Sequence, residues 1–404
     1  QESADVVVSE PVHAAAADAC RLLEPDAARV YRLMSLRPWP AFGPAAASWA
    51  AGIEHAVAAA VLDELASAKL LEVTDAGRYF YRPAVRRHAE ETAAREDGVA
   101  GCAAAVARVV EGYLHLALRA ANAALPESWR VPPLPEGLPE GSYANRAAAL
   151  QALVDERGNL LQAVHAAAEF GDETTAVTLA QALWPLQLKA GHHEEVVPAL
   201  RIGIRTADAR FPGTRTAGAL HAHLALSLTE LQRYEEAETE ARAAASGECE
   251  AGHVRGHASA VELLGLLRLR QWRFAEAYDC FDEAGRIYDT VAPGGEGSMD
   301  LPRAGALLDR HRGRALRGLG RREEAEASLR KALEYFRESG DTYNSARTLT
   351  DLADTSLDGE DSATALPLIE EAIASLTAEG AKYHLAYLES LRERCASSVS
   401  SPSA

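Results

Sequence analysis

From Val12 to Arg394 apolar residues recur at three- and four-residue spacing, and alanine, leucine, arginine and glutamate dominate. That pattern predicts a chain of amphipathic helices. It breaks at Pro126–Ser142, which holds five prolines, and again at Val291–Pro302. A polar stretch at 1–11 reads as irregular, and the tail 396–404 as frayed or disordered. Pro25-Asp26 opens a helix carrying Val30, Leu33, Met34 and Leu36. A Pro-rich turn at 38–40, a short Ala-rich helix ending at Gly52 and a third helix over about 54–69 follow. Two short β-like runs at 70–73 and 78–81, joined by a turn at Asp75-Ala76-Gly77, complete a unit over 12–97. Three helices followed by a hairpin form a winged-helix pattern. A helical linker over 98–173 leads onward.

Downstream one motif returns: an apolar helix, a tight turn, then a second helix with small residues in phase. Val196, Ala237, Ala277, Ala325 and Ala365 mark five copies at spacings of 41, 40, 48 and 40 residues. The long interval contains the Gly/Pro loop at 291–302. A period near forty with two helices per copy predicts a helical solenoid over 174–395, because one pair cannot bury its apolar stripe alone. The small residues Gly265 and Ala277, Gly313 and Ala325, and Ala225 and Ala237 mark close helix approaches, with Phe281 and Tyr234 filling gaps. A further pair precedes the copies, and a helix over 383–394 caps them. The fold class is thus all-α, a helical solenoid preceded by a small winged-helix domain.

Charge narrows the function. The 404 residues carry 41 basic and 59 acidic side chains, a net charge of −18 that repels phosphate and anionic membrane. The third helix of the N-terminal unit carries Glu54, Asp63 and Glu64 against Lys69, the reverse of a DNA reader. No run of uninterrupted apolar residues reaches bilayer length, so no membrane span is expected. Five widely spaced cysteines without C-x-x-C point to reduced thiols and a cytoplasmic setting. Catalytic motifs are missing as well: there is no G-x-S-x-G, H-E-x-x-H or zinc spacing. Ser328–Lys331 matches S-x-x-K inside a repeat helix, and Cys249, His253 and His257 lack a fourth ligand. Neither enzyme activity, cofactor nor metal is expected.

The copy Leu264-Gly265…Phe274…Ala277…Phe281…Ala284 and its neighbour Gly313…Gly320…Ala325…Ala332 resemble tetratricopeptide repeats. Arg312 replaces the leucine usual before that second glycine. Upstream, Leu23–Leu33, Leu62–Leu65, Leu70–Glu72, Arg78-Tyr79 and Leu150–Val164 resemble the winged-helix and repeat half of AfsR-like actinobacterial regulators of the STAND, NB-ARC type. None of the four lysines opens a G-K-[S/T], so no P-loop lies in this sequence. The family's nucleotide-sensing His-Asp pair is replaced at Tyr81-Arg82-Pro83.

The resemblance places the first helix of each repeat on a concave groove. Between Arg303 and Lys331 nine basic residues oppose four acids, and Arg310, Arg314 and Arg317 share one helix face. Arg270 and Arg347 share the phase, so these five are the candidate groove residues, suited to an acidic protein or peptide. Internal pairing with acids such as Glu262 and Asp354 is the competing reading. The resemblance implies a regulatory, protein-binding module whose winged helix relays the signal. A stand-alone adaptor or signalling-peptide receptor is the alternative.

Overall fold

The computed structural model describes residues 2–295 and 297–399. Its helices are α1 (Glu2–Cys20), α2 (Pro25–Met34), α3 (Pro44–Ala51), α4 (His55–Ser67), α5 (Pro83–Glu96), α6 (Gly98–Ala124), α7 (Arg146–Glu169), α8 (Glu173–Ala182) and α9 (Trp184–Leu188). They continue as α10 (His193–Arg210), α11 (Arg215–Glu230), α12 (Tyr234–Glu250), α13 (Val254–Arg270), α14 (Phe274–Tyr288), α15 (Leu301–Gly318), α16 (Arg322–Glu338), α17 (Thr342–Leu357), α18 (Ser362–Ala378) and α19 (Leu385–Val399). Strands β1 (Glu72–Val73) and β2 (Tyr79–Phe80) lie between α4 and α5. Two compact units emerge: residues 1–119, 135–139 and 155–179, and residues 120–134, 140–154 and 180–404. The stretch 98–173, expected as a linker, is divided between them.

The N-terminal unit starts three of its helices on proline. Pro25, Pro44 and Pro83 each sit in the first turn, where the missing N–H costs nothing. Pro83 therefore serves as a helix start at the position where the resemblance expects an acidic residue. Helix α3 stops at Gly52, whose φ of +67° lets its N–H bond Ser48 O at 2.8 Å. The hairpin is antiparallel, pairing Glu72 with Phe80 and Val73 with Tyr79, and Phe42 bridges to Tyr79. Tyr31, Met34, Phe42, Leu62 and Leu65 form a buried centre. Two stretches that carry the family resemblance meet here: Arg78 grips Glu156 with a two-bond fork of 2.7 and 2.8 Å, and Asn159 donates to Ala41 O.

Two expectations change. Helix α1 covers most of the stretch read as irregular, with Pro11 inside it, and α19 runs to Val399 through part of the presumed frayed tail. Residues 400–404 lie outside the described residues. Helix α6 is also long and apolar enough, by length and composition, to cross a membrane. Mixed residues break its apolar run, so a search for uninterrupted runs passes over it. Val106, Val109, Val110, Tyr113 and Ala117 of its apolar face are buried inside the N-terminal unit.

In the C-terminal unit α11/α12, α13/α14, α15/α16 and α17/α18 are successive antiparallel pairs, matching the predicted repeat. The turns between partners repeat in detail. Gln232, Trp272, Gly320 and Glu360 hold the same left-handed position, with φ of 59°, 62°, 74° and 59°. Asp and Arg begin the second helices; Arg233 bonds Glu236 and Arg321 bonds Glu324 three residues on. Inside each pair the buried residues are mostly alanine, with Phe281 or Leu329 between them: Ala237, Ala277, Phe281, Ala325, Leu329 and Ala365 are all fully enclosed. A Cβ on Gly265 would lie 2.4 Å from the Phe281 ring, and one on Gly313 would lie 2.6 Å from Leu329. Those glycines set the helix spacing.

The predicted superhelix does not end as an open trough. Lys189, fully buried after α9, donates to Glu379 Oε2 at 2.6 Å and to Ala124 O at 2.9 Å. Tyr343 Oη donates to Leu188 O at 2.8 Å, and the Tyr383 ring lies against Gly191. The last repeats thus dock on the first within this unit.

Gly265→Ala is expected to destabilise the protein by about 1–3 kcal/mol, because the Phe281 ring has nowhere to move. Gly305→Ala, on a helix position with nothing within 4 Å, is expected to gain up to about 1 kcal/mol. Urea unfolding of both variants measures the contrast.

Candidate functional site

The first helices of the pairs turn one face toward a cavity of about 220 Å³ in the C-terminal unit. Its walls come from α9, α11, α13, α15 and α17, from Leu125–Arg130 and from Tyr383-His384. Eight Arg or Lys side chains line it against five Asp or Glu. Four of the five arginines singled out in the sequence, Arg270, Arg310, Arg314 and Arg347, line this one cavity. Arg317 does not. It turns to Asp354 (3.1 Å) and Asp358 (2.6 Å), beside Tyr387.

The repeat explains the pairing. Arg270 bonds Glu230 at 2.5 Å, forty residues back, and Arg310 bonds Asp351 at 2.6 Å, forty-one residues ahead. Equivalent helix positions face each other across neighbouring units, so a basic residue in one repeat meets an acid in the next. Arg314 reaches the same Asp351 only at 3.6 Å. Arg347 donates to Tyr343 Oη at 3.0 Å and, among the described residues, has no carboxylate partner. Asp351 is therefore shared by the Arg310 and Arg314 guanidiniums, and Arg347 acts on it only through its charge. Burial alone would push the Asp351 carboxyl up, yet Arg310, Arg314 and Arg347 together hold it below its usual range. Burial pulls the Arg310 guanidinium down to about 10 despite Asp351.

The competing internal pairs form in part. Glu262 meets His311 Nε2 at 3.1 Å and Asp354 meets Arg317. His311 is 5% exposed, and burial lowers its pKa to about 4 against the pull of Glu262. It is neutral at pH 7, so Nε2–H donates to the carboxylate and Nδ1 is left as an acceptor.

Some of the wall was not read from sequence. Trp129 and Arg130, in the proline-rich stretch, enter the cavity: Arg130 donates to Ser259 Oγ at 2.5 Å and its guanidinium stacks between Trp129 (4.9 Å) and Trp184 (5.4 Å). Arg255 covers the other Trp129 contact at 4.5 Å. An aromatic-cationic pair inside a proline-rich break was the available signal. The Cys249, His253 and His257 grouping separates. His253 is buried on Glu248 at 2.6 Å, whereas His257 sits at a shallow depression with Glu283 and Arg286. Among the described residues no three His, Cys, Asp or Glu side chains gather as a metal site.

Two measurements follow from these buried charges. Glu379→Ala strands the Lys189 ammonium and is expected to cost about 3–5 kcal/mol in urea unfolding. His311 has a folded pKa near 4 and an unfolded one near 6.5, so the unfolded chain binds the extra proton between them. Its contribution is present above pH 6.5 and is lost as pH falls toward 4, up to about 3 kcal/mol. Unfolding at pH 7 and pH 5 is expected to show a smaller loss in His311→Gln than in the parent.

A family model described as tetratricopeptide repeat matches residues 304–378. The regulatory protein AfsR of Streptomyces griseus is 26% identical over 405 residues, covering 90% of this chain and 40% of that protein. AfsR of Streptomyces coelicolor is 29% identical over 331 residues, covering 80% of this chain and 32% of that protein. The chain thus spans well under half the length of either relative. Among solved structures, a signal transduction ATPase with numerous domains and a tetratricopeptide repeat sensor, from Pyrococcus horikoshii, aligns at 14% identity and a TM-score of 0.41, over 93% of this chain and 54% of that one. A Rap protein complexed with competence and sporulation factor aligns at 11% identity and a TM-score of 0.39, over 78% and 86%. Residues 304–378 of this chain are thus similar to tetratricopeptide repeats, and most of its length resembles AfsR-type regulatory proteins.

Proposed function

We propose that this chain is a non-catalytic regulatory module of the STAND type, whose repeats bind a protein or peptide and whose N-terminal helices and hairpin act as a winged-helix relay. The similarity to AfsR and the tetratricopeptide match support the class. The wide spacing of the five cysteines, with no C-x-x-C, supports a cytoplasmic setting. The observation that carries the choice of partner is that Arg310 and Arg314 share Asp351 while Arg347 beside them has, among the described residues, no carboxylate partner. That wall has more cation than its own acids neutralise, and an acidic segment supplies the missing carboxylates in bidentate geometry. Arg270 extends the same wall beside Glu230. Arg317, held by two aspartates outside the lining, contributes by packing.

The test is affinity capture from the native cytosol with the parent chain, with Arg314→Glu/Arg347→Glu, and with Arg286→Glu on an exposed face as control. The double variant is expected to lose at least about tenfold of a specific partner that the control retains, a change of about 1.4 kcal/mol. Equal capture by all three refutes the arginine wall as the docking element.

A further inference from the structure

We propose that the cavity is a site for a compact, flat organic anion bearing a carboxylate or phosphate, an effector smaller than any polypeptide partner. The inference rests on the preceding reading only in taking the arginine wall as ligand-facing.

Size and closure come first. At about 220 Å³ the space is below the ~300–1,000 Å³ of pockets for drug-sized ligands. Side chains of its own unit narrow it. Tyr383 lies on Gly191 and reaches Glu230 at 3.2 Å, while Trp129 and Arg130 occupy the space beside Trp184 and Ser259. A small molecule fits this space.

The second observation is a set of polar atoms without partners on deeply buried side chains of the lining. They are Trp184 Nε1, Gln187 Oε1, His193 Nε2 and His311 Nδ1. The four side chains are between 0 and 5% exposed. Native interiors leave few such atoms, because each costs about 1–3 kcal/mol, and four around one cavity mark a surface made for a polar ligand. The set mixes the indole donor of Trp184 with acceptors on Gln187 and His311, so the ligand body carries both a donor and an acceptor.

Charge and shape complete the match. Arg347 and Arg314 face the cavity with spare N–H groups, since Asp351 is engaged at closer range by Arg310. A carboxylate or phosphate takes two such forks at once. Trp184, Tyr343, Leu226 and Leu263 give flat apolar walls for a planar body.

The test is isothermal calorimetry of the full chain with 4-hydroxyphenylacetate, phenyl phosphate and the neutral 4-hydroxyphenylacetamide. One anion is expected to bind with one-to-one stoichiometry, and comparing the two separates carboxylate from phosphate. The amide is expected to bind at least about tenfold more weakly. Arg347→Ala is expected to weaken the anion by about tenfold or more, and Trp184→Phe, which keeps the packing and removes the indole donor, by several-fold. Lys331→Ala, exposed on another helix, leaves affinity unchanged. Should Arg347→Ala fail to fold by thermal melting, Arg314→Gln replaces it with the same expectation. Absence of binding by both anions at millimolar concentration, equal binding of the amide, or affinity indifferent to the arginine overturns the proposal. Partner capture lost in Arg314→Glu/Arg347→Glu despite such a result would leave the regulatory reading standing, so the two fail separately.

Discussion

A two-helix unit has an apolar stripe too wide to bury against itself, and every other feature of the C-terminal unit follows from that limit. The stripe is covered only by the next pair, so the pairs must stack, and they stack only if the backbones come close. Gly265 against Phe281 and Gly313 against Leu329 are where closeness is bought with the loss of a side chain. The alanines at equivalent positions of the second helices serve the same spacing. The left-handed residues at Gln232, Trp272, Gly320 and Glu360 return the chain sharply enough for the next helix to lie antiparallel.

Stacking in register also fixes the electrostatics. Equivalent positions face each other one repeat apart, so a charge on one helix selects an opposite charge forty or forty-one residues away, as Arg270–Glu230, Arg310–Asp351 and Arg317–Asp358 do. Arg310–Asp351 is the buried one, and a buried ion pair gives little net stability, because desolvation offsets attraction, but removing one partner is expensive. Such pairs therefore hold register more than they add energy. The exception is instructive. Asp351 pairs with both Arg310 and Arg314 and lies within the charge of Arg347, and the excess cation is concentrated along the inner wall of the cavity.

The same reasoning applies to the closure of the unit. Lys189 carries its ammonium to zero exposure, and it is stable there because Glu379, Ala124 O and the Tyr343 ring surround it. Residues 190 positions apart are joined by this bond. It turns a stack of near-neighbour contacts into a unit with long-range ties. In the N-terminal unit the Arg78–Glu156 fork has the corresponding role, fastening the hairpin to the second half of α7.

The amino-acid sequence by itself determined the helices, the forty-residue period, the hairpin and the clustering of Arg270, Arg310, Arg314 and Arg347 on one wall. Each depends on spacing along one or two helices, and spacing is what hydrophobic and charge periodicity record. It also pointed to the small residues at helix contacts, since only Gly or Ala fits there. Only the tertiary structure decided that Arg317 turns away to Asp354 and Asp358, that Trp129 and Arg130 enter the chamber from a proline-rich break, and that Lys189 and Glu379 close the stack. The physical reason is the small rotation added by each repeat. It accumulates over several pairs, depends on the packing of every interface, and alone fixes which distant side chains finally meet.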